Sequence, residues 1–149
     1  MLEDAKQAIA ASSKESSVYI GSDSIRFKKA GVWYARYSTV VILHLDSKHG
    51  CKLFHNTETY TDYGAMKQRL LNEVMFTVNI ALELLDVIGD RHLEVHLDLN
   101  ANPRHKSNVA VKEGLGYVHG QLPGVQVEIK PNGWAASSCA DHLVRGKLQ

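Results

Sequence analysis

Between residues 17 and 61 the chain is built of short apolar and β-branched runs broken by polar turns. Val18-Tyr19-Ile20 and Ile25-Arg26-Phe27 bracket Gly21-Ser22-Asp23-Ser24, residues 32–45 are rich in Val, Tyr, Thr and Ile, and a third run extends from Cys51 to about Thr61. β-Branched and aromatic side chains suit a pleated, half-buried surface, so these runs predict three strands. Lys28-Lys29-Ala30-Gly31 and Asp46-Ser47-Lys48-His49-Gly50 have turn composition. Strands joined by loops this short pair antiparallel, which gives a meander.

Elsewhere the apolar positions repeat at helical spacing. Leu2, Ala5, Ala8 and Ile9 predict a short helix over residues 2–11, followed by a polar connector to residue 17. A long helix is expected from about Tyr63 or Ala65 to Ile88, closed by Gly89. Its apolar face would comprise Val74, Val78, Ala81, Leu85 and Ile88, and its solvent stripe Asn72, Asn79, Glu83, Asp86 and Asp90. His92 to Leu99 reads as a fourth strand. Ser107 is the expected N-cap of a helix from Asn108 to about Gly120, and Val125 to Lys130 reads as a fifth strand stopped by Pro131 and Gly133. Ser137 is the expected N-cap of a last helix to about Arg145. No linker, repeat or low-complexity tract interrupts this order. The expectation is one α/β domain over residues 1–149 with a five-stranded mixed sheet flanked by helices. Three strands come from the meander, and the helix-separated strands add in parallel.

Composition narrows the classes without naming one. At 149 residues, 44% hydrophobic and 22% charged, the chain is of ordinary globular type. Cys51 and Cys139 form no CxxC pair, and the acidic start Met1-Leu2-Glu3-Asp4 has no apolar stretch of signal-peptide type behind it. These features fit a reducing, cytoplasmic setting. Runs such as Val40-Val41-Ile42-Leu43 are too short to span a bilayer. A net charge of +1 leaves nucleic acid to a local basic patch.

Four acids stand where acids are costly or pointed. Asp23 interrupts the first strand pattern; it marks either a turn or a carboxylate that needs a partner. Asp98 closes His96-Leu97-Asp98-Leu99-Asn100, at the carboxyl end of a strand, where α/β proteins gather ligands, although a capping Asp would also end a strand there. At about 100° per residue, Glu73 falls in line with Phe76, Ile80, Leu84 and Val87 rather than with the solvent stripe. An ordinary i,i+4 pair with Arg69 would account for it, and so would a site. Asp141, in Cys139-Ala140-Asp141-His142-Leu143-Val144-Arg145, suits a helix N-terminus on dipole grounds alone.

The order of these acids resembles the ribonuclease-H-like superfamily: first strand, helix after the meander, end of the fourth strand, last helix. More narrowly, Gly21-Ser22-Asp23-Ser24, Arg69-Leu70-Leu71-Asn72-Glu73-Val74, His96-Leu97-Asp98-Leu99-Asn100, Ile129-Lys130-Pro131 and Ala140-Asp141 are similar to its YkuK-type branch. The resemblance implies a metal-dependent nuclease in which Asp23, Glu73, Asp98 and Asp141 bind two Mg²⁺ or Mn²⁺ ions. Converging carboxylates repel one another unless cations are present, and hard oxygen donors suit these ions. The partner implied is nucleic acid. Ser24, Asn100, Lys130, Arg104 and Lys106 are candidates to contact it, and His105 or His119 to transfer a proton. Arg26, Lys28 and Lys29 also lie near enough to meet phosphates, although Lys28 and Lys29 read as solvated surface. Glu58 and Asp62, flanking the third strand, could add to the acid set. Recognisable residues for 2′-hydroxyl contacts are missing, so RNA-strand specificity is not implied.

Other chemistries have less support. His44, His49, Cys51 and His55 lack the paired spacing of structural zinc sites. No GxSxG elbow, GxxxxGK[ST] loop or GxGxxG loop is present. The runner-up is a non-catalytic scaffold on the same fold, binding nucleic acid or protein.

Overall fold

A computed structural model describes residues 1–130 of the chain. It runs α1 (Leu2–Ala11), β1 (Ser17–Lys29), β2 (Val32–His44), a 3₁₀ turn (Leu45–Ser47), β3 (Cys51–Thr61), α2 (Met66–Ile88), β4 (His92–Asn100), a second 3₁₀ turn (Lys106–Ala110), α3 (Val111–Gln121) and β5 (Gln126–Lys130). The strands form one sheet in the order β3-β2-β1-β4-β5. β1 and β2 pair antiparallel, as do β2 and β3, whereas β4 lies parallel to both β1 and β5. The mixed five-stranded sheet and the short N-terminal helix agree with the periodicities in the sequence. The last expected helix, with Ser137 and Asp141, lies outside the described residues.

The meander follows from its turns. Lys29 pairs with Val32 across two connecting residues, Ala30 and Gly31, at φ 51° and 80°. Two positive φ values make the hairpin turn whose twist matches that of the strands, and glycine takes up the second without strain.

The helix-facing side of the sheet is set by strand alternation. Val18 and Ile20 of β1, Val41 and Leu43 of β2, and Leu93, Val95, Leu97 and Leu99 of β4 are buried in one cluster with the inner face of α2. Each such side chain contributes about 1.5–3 kcal/mol on burial. On α2 the buried positions are Leu70, Glu73, Val74, Thr77, Val78, Ala81, Leu84 and Ile88. Leu85, expected inside, is exposed, because the buried stripe passes through Leu84 to Ile88. Asn72, expected in solvent, is half-buried and donates from Nδ2 to the Tyr37 hydroxyl at 3.0 Å.

α3 starts later than expected. Ser107 lies inside the second 3₁₀ turn, and Ala110 precedes α3 without a side-chain cap. The reason lies next door: Asn108 Nδ2 donates to the carbonyls of Asn100 and Ala101, at 2.9 and 3.2 Å. That bond folds the loop back onto the end of β4. Further along, α3 packs closely through Gly114, where an added Cβ would stand 2.8 Å from Leu99 Cδ1 and 3.4 Å from Val74 Cγ2.

Candidate metal centre

Parallel pairing between β1 and β4 runs from Ser17↔His92 to Gly21↔His96 and stops there. Asp23 and Asp98 each stand two residues past that last pair, at equivalent positions on the same side of the sheet. Like charges set side by side oppose continued pairing. Past Gly21 and His96, α2 supplies a third acid. Oxygens of Asp23, Glu73 and Asp98 all lie within 4.8 Å of one another.

Local packing holds Glu73 there. Ser22, on the helix side of β1, places its hydroxyl 2.9 Å from Thr39 Oγ1 and 2.8 Å from Thr77 Oγ1. The Thr77 hydroxyl is also 3.0 Å from the Glu73 carbonyl oxygen. This buried hydroxyl cluster fixes one turn of α2 against β1 and β2. Ser24 Oγ then donates to Glu73 Oε2 at 2.5 Å, while the Ser24 N–H donates to Asp23 Oδ1 at 2.8 Å.

Glu73 is only 4% exposed. Burial pushes its carboxyl up to about 9, and the charges of Asp98 and Asp23 push the same way; the Ser24 hydrogen bond and the Arg69 cation oppose them. The i,i+4 ion pair with Arg69 is not made: among the described residues neither Glu73 Oε1 nor Arg69 Nε has a partner, and both atoms are buried. A buried carboxylate oxygen without a donor is costly. Three carboxylates, all hard oxygen donors, with one buried oxygen unsatisfied, fit a hard divalent cation.

The ribonuclease H-like family model matches residues 1–145. The chain belongs to the ribonuclease H-like family. That is the family to which its YkuK-type motifs pointed. No curated protein and no solved structure matches the chain.

In this ribonuclease H-like chain the other expected site residues divide by position. Ser24 touches the acid cluster directly, through Glu73. Asn100 is buried, and its Oδ1 accepts the Asn102 N–H at 2.8 Å, so it shapes the loop after β4. Arg104, His105 and Lys106 are exposed in that loop, with the Arg104 N–H donating to Asn102 Oδ1 at 3.0 Å. Lys130 ends β5 opposite Asn100. His119 lies in the last turn of α3. Because α3 carries the chain back between two parallel strands, that turn is remote from Asp98. Asp141 lies outside the described residues.

Asp62 and Glu58 do not join the cluster. Asp62 pairs with Arg26, and Glu58 Oε1 accepts from the Tyr60 hydroxyl at 3.1 Å. His44 and Cys51 are cross-strand partners, but among the described residues no group of three histidine or cysteine ligands gathers. Ser22, Thr39, Thr77 and Asn108 are positioning residues that sequence reasoning missed. The one signal was a threonine a turn after Glu73, a position where a fully apolar face would carry an aliphatic residue.

Proposed function

We propose that this protein is a divalent-cation-dependent nuclease that hydrolyses phosphodiester bonds of nucleic acid. The observation that carries the reading is the meeting of Asp23, Glu73 and Asp98, from three separate elements, with their oxygens within 4.8 Å. On this reading the three acids hold Mg²⁺ or Mn²⁺, and Asp141 completes a four-carboxylate set for two ions. Bound cations would supply the charge that lets the acids ionise together, activates an attacking water and stabilises the leaving oxygen.

The chain's own groups have separate tasks. Ser24 orients the Glu73 carboxyl through Oε2, leaving the buried Oε1 without a hydrogen-bond partner among the described residues. Ionised, Glu73 would also order a water or a substrate hydroxyl. The exposed Arg104 and Lys106, with Lys130 on the neighbouring strand end, would meet phosphates, which positions a substrate without reading its sequence. His105 shares that loop and is the histidine better placed for proton transfer; His119 has no part in the proposal.

The test is cleavage of labelled single-stranded RNA, RNA–DNA hybrid, single- and double-stranded DNA and a four-way junction with Mn²⁺ or Mg²⁺, beside Asp23→Asn. Metal-dependent cleavage lost in the variant is the expected result. Absence of both cleavage and metal binding would overturn the nuclease and leave the scaffold reading.

A further inference from the structure

The β1–β2 hairpin extends beyond the acid cluster, and its charge is one-sided. Residues 25–36 contain Arg26, Lys28, Lys29 and Arg36 and no acid, which leaves a net −3 for the rest of a chain whose total is +1. All three cation–π contacts among the described residues lie in this hairpin. Its two faces differ. One carries Trp33, with the Arg26 guanidinium 4.4 Å from its ring centroid, but Arg26 there is neutralised by Asp62, and Glu58 lies on the same side. The other continues from Asp23 at two-residue intervals through Ile25, Phe27 and Lys29, opposite Arg36 and Tyr34.

On this second face Phe27 and Tyr34 stack at 5.6 Å with 23° between their planes. The Arg36 guanidinium sits 4.9 Å from the Phe27 centroid. Ile25 is 57% exposed. Neither Lys29 nor Arg36 makes an ion pair among the described residues, and no acid stands on this face of the hairpin past Asp23. At about 3.4 Å per residue, Phe27 lies about 14 Å along the strand from Asp23.

We infer that this face is a stacking track for single-stranded nucleic acid, leading a strand into the acid cluster. The inference rests on the nucleic-acid reading above and names its substrate class. Cations without acid partners attract a polyanion. Half-buried aromatic side chains such as Phe27 and Tyr34 can stack with bases that are not already stacked in a duplex, and such stacking tolerates any sequence. The Arg36 guanidinium, already held over a ring, offers both a flat surface and a charge.

The test is fluorescence anisotropy of short labelled oligo(dT), oligo(U) and a duplex of equal length, measured in EDTA so that cleavage plays no part. Both single strands are expected to bind at least tenfold tighter than the duplex; a preference between them would report a 2′-hydroxyl contact within the same track. Phe27→Leu with Tyr34→Leu keeps apolar bulk in the strands and is expected to weaken single-strand binding by tenfold or more. Arg36→Gln is expected to flatten the salt dependence, while Trp33→Leu, on the other face, leaves affinity unchanged. Circular dichroism and melting confirm that each variant folds. Equal affinity for duplex and single strand, or undiminished binding by the folded Phe27/Tyr34 variant, would overturn the track. So would a monomer–dimer shift in that variant, which would make the face a contact between two copies. Binding that behaves as expected in a protein that neither cleaves nucleic acid nor binds Mg²⁺ or Mn²⁺ would overturn the nuclease and leave the track standing.

Discussion

Glu73 concentrates the energetics of the candidate centre. Its carboxyl is raised from an ordinary 4.5 to about 9, so the metal-free fold binds a proton there that the unfolded chain releases. A group raised in this way stabilises fully below its unfolded value, and that stability is lost as pH rises through the folded value. The metal-free protein should therefore melt at falling temperature as pH climbs from about 4.5 towards 9. Glu73→Gln removes the titration and should stabilise the metal-free protein by on the order of 1–3 kcal/mol at pH 8, read as a higher Tm, while abolishing cleavage. A variant that melts lower than the parent across that range would remove burial of the acid as the cause. A cation needs the ionised form, so millimolar Mg²⁺ or Mn²⁺ should raise Tm, and the increment should grow with pH. A flat titration at pH 8 would oppose cation binding by this cluster.

At the scale of elements, the seam between α2 and the sheet sets the position of Glu73. Ser22, Thr39 and Thr77 form a hydroxyl cluster in an otherwise apolar layer. Thr77→Val keeps the shape but removes one of the two partners of the Ser22 hydroxyl, leaving Thr39, and should cost about 1 kcal/mol by denaturant unfolding. On the other side of α2, Gly114 lets α3 approach Leu99 and Val74. Gly114→Ala should cost about 1–3 kcal/mol through overpacking. It would also press on the residue beside Asp98, so its cation affinity should fall where that of Thr77→Val falls through Glu73. Unchanged stability in either variant would show that the seam tolerates movement.

At the scale of the molecule, charge is segregated. Basic residues gather on the β1–β2 hairpin, and three acids converge at its base. A polyanion would be drawn first to the hairpin, and the acids would accept its phosphates once cations are bound. Replacing Lys29 and Arg36 together by Gln should reduce the slope of log affinity against log salt by about 1.4 on single strands, at about 0.7 per phosphate contact. An unaltered slope would place the phosphate contacts elsewhere. Among the described residues no helix is long and apolar enough to cross a membrane.

Much of the fold was legible because its signals are local. Period-two runs joined by connections of two and six residues specify a meander, and a 3.6-residue stripe ending at Gly89 specifies α2. Asp23, Glu73 and Asp98 were conspicuous in the sequence because each stands where a lone carboxylate is expensive, and that cost depends on neighbours a few residues away. Ser107 misled because a local cap signal was overridden by Asn108 bonding back to β4. Local pattern is thus enough for the elements, their order and which acids are out of place. Only the tertiary structure decided that β1 and β4 part after Gly21 and His96, that Glu73 enters beside Asp23 and Asp98 instead of pairing with Arg69, and that Asp62 answers Arg26. It also placed Phe27, Tyr34, Lys29 and Arg36 on the face of Asp23, and Trp33 on the other. Those outcomes depend on side chains distant in sequence competing for the same space and charge, which no local periodicity encodes.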